Sequence, residues 1–501
     1  MAAVLAVAGV GAAWALRPRP QEPAVNGAVP FTTYPASVAV TSIAVLPFVN
    51  TSRNAEADYL SDGITDTLIG NFSILPGLKV KSSNAVRKYK GANVDAGSAG
   101  RELGVGKVVT GRVILKHGQG GDNLSIQAEL VDTRDNSEVW GEIFERKMSD
   151  ILSIQRDITD RVAEKLKVQL ASADRQRLEK RETKNPEAYQ LYLKGQYFLS
   201  KFTKGGADKG LVYIRQAIDA DPGYALAYEG LAGYYAIVSD VFMPDRDALP
   251  KGKAAAMKAI ELDDGLAEAH ADLASALFWY DYDWPGAEKE FRRAIELNPN
   301  LSSAHDGYGW YLTCLGFQAR GIEEGRAAVR LDPLSADAYT ILSQNLYLAR
   351  RYPEAEEQAR RALELNPKYL VAHLQLALIE IVQGKSREAI AAAQNARQDE
   401  PLADWPTAVL SMAYAADGQR PVAEQLLKEM NTKASRGWVP SYAFAELYAG
   451  LHDKARTIDA LERAYDERAW FLTFLNTAPE FDFVRSDARF QALLRRMNFP
   501  R

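Results

Sequence analysis

The chain has 501 residues, 47% apolar and 25% charged, a composition that supports more than one buried core. A formal net charge of −5 gives no electrostatic case for nucleic acid. One cysteine, Cys314, excludes an intrachain disulfide and any zinc cluster built on thiolates. Residues 1–16 are apolar and uncharged, and Arg17-Pro18-Arg19-Pro20 ends the run. As a helix they reach roughly 24 Å, short of a ~30 Å hydrocarbon core. A cleaved signal with Ala13-Trp14-Ala15 as its site is one reading, although no basic region precedes the apolar run. A span cut by the start of the chain is another. The reading favoured here is a membrane anchor, intact or clipped, whose arginines suggest a cytoplasmic C-terminal side. Residues 17–41 read as a Pro-rich tether.

Residues 42–170 alternate strand and helix patterns. Ser42–Val49 is a short apolar run of buried-strand type, and Asp58–Leu75 has helical periodicity. Leu78–Ser82 reads as a strand and Ala96–Leu103 as a short helix. Lys107–Lys116 and Asn123–Asp132 form a hairpin about the Gly-rich turn Gly118–Asp122, and Glu138–Arg146 adds an antiparallel strand. Ile151–Leu170 reads as a long helix, followed by a charged linker, 171–185.

From residue 186 to 482 the chain repeats. A Pro, or Asp in its place, stands at Pro222, Asp264, Pro299, Pro333, Pro367 and Pro401, with spacings of 42, 35, 34, 34 and 34 residues. Five residues before each anchor is an alanine: Ala217, Ala259, Ala294, Ala328, Ala362 and Ala396. Ten after it is a small residue: Ala232, Ala274, Gly309, Ser343, Ala377 and Ser411. Paired antiparallel helices approach closely only where small side chains face each other. The anchor Pro is expected to open the next helix. The 42-residue spacing contains a long turn, Val238–Gly252, and the 35-residue spacing an extra residue in Tyr280–Gly286. Pro186–Ala220 supplies one pair upstream. Asp404–Met430 and Val439–Tyr465 supply two degenerate pairs downstream, and residues 483–501 hold a capping helix. The 34-residue period is that of the tetratricopeptide (TPR) unit. The fold class expected is therefore an α+β N-terminal domain followed by an all-α TPR solenoid of about seven or eight helix pairs, an α–α superhelix.

Family resemblance enters through SIAVLPFVN (Ser42–Asn50), YLSDGITDTL (Tyr59–Leu68), LPGLKV (Leu75–Val80), RELGV (Arg101–Val105), VVTGRV (Val108–Val113) and VWGEIFERKMSDILSIQRDI (Val139–Ile158). Together these resemble the TolB amino-terminal or FlgO-type domain. The family sets that domain before TPR arrays in bacterial signalling proteins, behind a serine/threonine kinase, an adenylate cyclase or a winged-helix regulator of CadC type. The resemblance implies a sensing or scaffolding half at the bacterial inner membrane. No effector domain occurs in the chain.

No catalytic constellation stands out. Gly104-Val105-Gly106-Lys107 lacks phosphate-loop spacing, and the kinase catalytic-loop and magnesium motifs do not occur. His270, His305 and His373 fall six residues after successive anchors, one repeat apart, and read as packing residues rather than metal ligands. Asp281–Asp283 is too short for a calcium loop. No catalytic, metal or cofactor residue and no small-molecule substrate is expected.

In TPR arrays the first helix of each pair lines a concave groove. The positions that match here include Asp306 and Trp310, then Thr340, Gln344 and Tyr347, then Leu374 and Leu378, with Trp310 and Tyr347 as aromatic anchors for a protein segment. The expected function is a non-catalytic, membrane-tethered TPR protein that binds protein partners. The alternative is the regulatory half of a kinase, cyclase or transcription regulator.

Overall fold

The computed structural model describes residues 41–501 except 53–56, 76, 92–93, 117–121, 169–171, 182, 202, 240–242, 400–402 and 500–501. The expected anchor (1–16), the tether up to residue 40 and most of the hairpin turn lie outside the described residues. Among those described, no helix is long and apolar enough to cross a membrane.

The N-terminal region is a mixed sheet ordered β3-β1-β4-β5-β6, with β2 beside β4. Its strands are β1 (Thr41–Val45), β2 (Val49–Asn50), β3 (Leu78–Val80), β4 (Lys107–Lys116), β5 (Asn123–Asp132) and β6 (Glu138–Lys147). β1 runs parallel to β3 and β4, whereas β4, β5 and β6 are antiparallel. The apolar run Ser42–Val49 is not one strand. Pro47 has no N–H to give a ladder, so the chain leaves β1, Phe48 N donates to Thr65 Oγ1 at 3.0 Å, and pairing resumes at Val49.

Helices α1 (Asp58–Ser73) and α4 (Ile151–Lys165) pack together and α1 covers the sheet. Ser82, expected at the end of a strand, instead caps the short helix α2 (Ser83–Arg87) by accepting Ala85 N at 3.2 Å. Helix α3 (Ala96–Leu103) is capped by Asp95. The helix expected to reach Leu170 stops at Lys165, and Lys167 takes a left-handed φ of 58°. The expected linker contains helix α5 (Ser172–Arg181), whose Leu178 is buried and whose Arg177 donates to Leu297 O at 3.1 Å.

Eight antiparallel helix pairs follow among the described residues. They are α6 (Pro186–Leu199) with α7 (Lys204–Ala220), α8 (Ala225–Val238) with α9 (Asp245–Leu262), α10 (Ala267–Ala276) with α11 (Trp284–Leu297), and α12 (Ser302–Cys314) with α13 (Gln318–Leu331). Then come α14 (Ala336–Leu348) with α15 (Tyr352–Leu365), α16 (Leu370–Val382) with α17 (Ser386–Asp399), α18 (Asp404–Ala416) with α19 (Arg420–Ala434), and α20 (Ser441–Gly450) with α21 (Lys454–Asp466). Two single 3-10 turns, Trp470–Phe474 and Pro479–Phe481, precede the terminal helix α22 (Ala488–Arg496). The fold is an α+β sheet region followed by a TPR solenoid.

The sequence columns acquire physical roles. All six column alanines are fully buried. Ala217, Ala259, Ala294, Ala328 and Ala362 each accept, through the carbonyl, the N–H of the residue that ends their helix. That residue is Asp221, Asp263, Asn298, Asp332 or Asn366. Its side chain takes an N–H two residues on, at Gly223, Gly265, Asn300 and Lys368, and Asp332 is engaged by Leu334 N in the same way. The anchor therefore sits inside this turn and does not open the helix, which begins three residues later in each repeat. In the small-residue column, a Cβ on Gly309 would lie 2.8 Å from Gly321 O, so α12 and α13 touch backbone to backbone. Ser343 and Ser411 occupy the same column and donate to Ala355 O and Ala423 O.

The extra residue of the 35-residue spacing is absorbed by a π-helical turn, Leu277–Asp281, closed by Tyr282 at φ 54°. Because the alanine column is fully buried, Ala362→Leu is expected to cost about 1–3 kcal/mol by overpacking, while Lys368→Ala at an exposed turn changes little. Equal denaturant midpoints for the two variants would refute the register.

Candidate functional site

The groove positions are covered by the chain itself. After α21 the segment 468–483 crosses the faces of the first helices of several pairs. Trp310 stacks on Phe474 at 5.2 Å and meets Trp470 edge-on at 5.3 Å. Tyr347 is buried and donates its hydroxyl to Glu480 Oε2 at 3.0 Å, and Arg350 pairs with Asp482 at 2.9 Å. Phe471 packs on Trp405 and Tyr442. At the far end, Trp470 N donates to Asp245 Oδ2 at 3.1 Å, so the first residue of α9 holds this segment, and the turn expected over Val238–Gly252 is helical from Asp245 onward.

Of the other expected groove residues, Thr340 is buried and turns its hydroxyl back to Ala336 O at 2.7 Å. Leu374 and Leu378 are buried in the solenoid core, and Gln344 is half-buried. The structure thus brings Trp310 and Tyr347 together under one segment and places Thr340, Leu374 and Leu378 inside packing. The sequence signal was available in the aromatic run Trp470–Phe483, which follows the last pair yet keeps no repeat register. The expected cap has a wider role as well. Trp284 Nε1 donates to Met497 O at 2.8 Å, so the chain end reaches the third pair as well as packing α22 on α21.

Asp306 lies elsewhere. It faces a cavity of about 410 Å³ between α1 and α6 on one side and the turns that open α12 and α14 on the other. The sheet region and the first pairs share one apolar core, in which α1 residues meet Ala188, Leu193 and Tyr224. A Cβ on Gly63 would stand 2.6 Å from the Leu193 side chain, which explains a glycine inside α1. Tyr189 bonds Thr67 and Gln155, and Asn298 and Asn300 bond Ser73, with Asn300 also bonding Leu78 O. These hydrogen bonds fix the cavity walls.

Asp306 is 6% exposed and its Oδ1 makes no hydrogen bond within the chain. Burial, reinforced by Asp337 and Asp332, raises its carboxyl well above the usual range. Asp332, 2% exposed, also leaves Oδ1 without a hydrogen bond, while Ser82 and Leu334 N engage the carboxylate.

The histidines tie each helix to the turn before it, and two of them also to the second helix of the same pair. Nε2 of His270, His305 and His373 bonds the carbonyl of Asp264, Pro299 and Pro367, six residues earlier in each case. Nδ1 of His270 and His305 meets Glu290 and Glu324 at 2.5 and 2.6 Å. They are polar fasteners rather than apolar filler. No group of three metal-ligating residues occurs among the described residues.

One buried acid gives the solenoid a pH response. Glu380 is 1% exposed, accepts Arg360 at 2.8 Å through one oxygen, and leaves Oε2 without a hydrogen bond. Burial pushes its carboxyl up to about 7, against the pull of Arg360. The folded state therefore holds a proton that the unfolded state has released, and the stability present below the unfolded value of 4.5 is lost as pH rises to about 7. Glu380→Gln is expected to match wild type near pH 4.5 and to exceed it by about 1–3 kcal/mol at pH 8. Parallel stability–pH curves would contradict this.

Comparison with known proteins adds relatives on both sides of the junction. Residues 39–161 match the family described as HilA/YgeH-like transcriptional regulator, second domain. The TolB or FlgO likeness rests on the sequence motifs alone. The chain is similar to putative adenylate cyclase 3 of Rhizobium meliloti (strain 1021), 31% identical over 268 residues, which are 53% of this chain and 44% of that protein. It is also similar to small glutamine-rich tetratricopeptide repeat-containing protein 2 of Mycosarcoma maydis, 29% identical over 85 residues, 17% of this chain and 24% of that one. The chain thus spans less than half the length of these relatives. Among solved structures, PilF of Pseudomonas aeruginosa is 17% identical, covers 48% of this chain and 98% of its own, and gives a TM-score of 0.33.

Proposed function

We propose that this chain is a non-catalytic protein-interaction module of bacterial signalling, held at the inner membrane by residues 1–16, with its protein partner docking on the TPR solenoid. The observation that carries the reading is the stack of eight helix pairs, an architecture that offers a long surface. The TPR relatives support it. Crosslinking pull-down from native membranes tests it: the expected result is a protein crosslinked to solenoid residues, and a chain starting at Ala39 released to the soluble fraction. Crosslinks confined to residues 42–170, or an Ala39 chain that stays in the membrane fraction, would defeat the corresponding half of the proposal.

A second reading has its own support. The similarity to an adenylate cyclase and the match to a transcriptional regulator's second domain favour a regulatory half whose effector is encoded upstream. An in-frame cyclase, kinase or winged-helix domain before Met1 in the genome would select it. An early stop codon would remove it.

A further inference from the structure

We propose that the cavity between α1, α6 and the turns opening α12 and α14 binds a linear organic polycation, a protonated di- or polyamine. Six carboxylates line it (Asp66, Glu229, Glu268, Asp306, Asp332 and Asp337), and no lysine, arginine or histidine does. From outside the lining Lys81 stands near Asp332, Arg87 and Lys90 stand near Asp66, and the Tyr369 hydroxyl donates to Asp337. No cation is among the groups that act on Asp306. Its charged neighbours are Asp332 and Asp337, it is more than nine-tenths buried, and Oδ1 has no hydrogen-bond partner. A buried acceptor left open in this way is costly unless a donor reaches it from the cavity, and an ionised donor makes the strongest such bond.

The distribution of the acids over several elements selects the ligand. No three of them come together closely enough to hold a metal ion among the described residues. Acidic side chains carried on α1, α8, α10, α12 and α14 around a cavity of about 410 Å³ instead match several ammonium groups joined by methylenes. Tyr189, Tyr192 and Tyr224 on the same walls supply aromatic surface for the methylenes and for cation–π contact. The Asn298 and Asn300 bonds beside the cavity join the sheet region to the turn between the third and fourth helix pairs, so an occupant would bear on both.

Isothermal titration of the full chain with spermidine tests the assignment. The expected result is one saturable site, weakened about tenfold or more in both Asp306→Asn and Asp332→Asn and unchanged in Glu261→Gln, an exposed acid. Circular dichroism of each variant without spermidine separates lost binding from lost folding, and Asp332→Asn carries the test alone should Asp306→Asn not fold. Absence of saturable spermidine binding, or wild-type affinity in both cavity variants, overturns the proposal. So does an Asp306-dependent site for Mg²⁺ or Ca²⁺ alone in place of spermidine.

Discussion

Trp284→Ala is expected to be the most damaging single substitution, with a loss of about 3–5 kcal/mol. The ring is 2% exposed at the start of α11, stacks on Phe499 at 4.7 Å, and contacts Phe278, Tyr282 and Tyr311. Its Nε1 donates to Met497 O, so removal opens a cavity and also leaves a buried carbonyl without its donor. The effect should spread along the chain. Tyr282 donates to Ala469 O and Arg468 lies over the Tyr282 ring, so the third pair and the chain end hold each other. In a simple solenoid each pair feels only its neighbours; here contacts between residues about 200 positions apart should make unfolding more cooperative. Urea unfolding followed by circular dichroism is the measurement. A loss under about 1 kcal/mol would mean that the chain end does not dock on α11.

The second large effect is expected from Trp310→Ala combined with Tyr347→Ala. The sequence reading makes these two residues anchors for a partner, so their loss would abolish binding and leave the fold intact. Their placement gives a different expectation. Both lie under residues 470–481, through ring stacking and the Tyr347–Glu480 hydrogen bond. The double variant should lose about 3–5 kcal/mol, and hydrogen exchange should accelerate across 470–483 before it does elsewhere. Trp438→Ala is the control, because that indole is 46% exposed between α19 and α20. Unchanged exchange in 470–483 would show that the two aromatic residues do not retain this segment.

Much of the local structure was legible in the residues. Strands β4 and β5 and helix α3 begin and end where alternation and turn chemistry place them, since ten-residue alternating strands and a Gly-terminated helix carry strong local signals. Boundaries failed where one residue's backbone chemistry overrode an apolar pattern, as Pro47 did to β1 and Ser82 did to β3. The anchor position failed for a related reason. A proline preceded by Asp or Asn is compatible with both a helix start and an Asx turn, and only the observed hydrogen bonds to the second N–H onward choose between them.

The candidate sites were less legible. Asp306 was singled out as a groove residue, but its opposite wall includes α1, which belongs to what reads as another domain, and no local pattern reports that packing. The sequence by itself determined the repeat: a 34-residue period of buried alanines and small residues reflects contacts within a helix pair and between adjacent pairs, which recur and so leave columns. Only the tertiary structure decided what fills the groove, what walls the cavity, and that the sheet region and solenoid share a core. Those contacts each occur once, between distant segments, so they leave no period to read. Their energetics depend on shape and burial, which residue type alone does not specify.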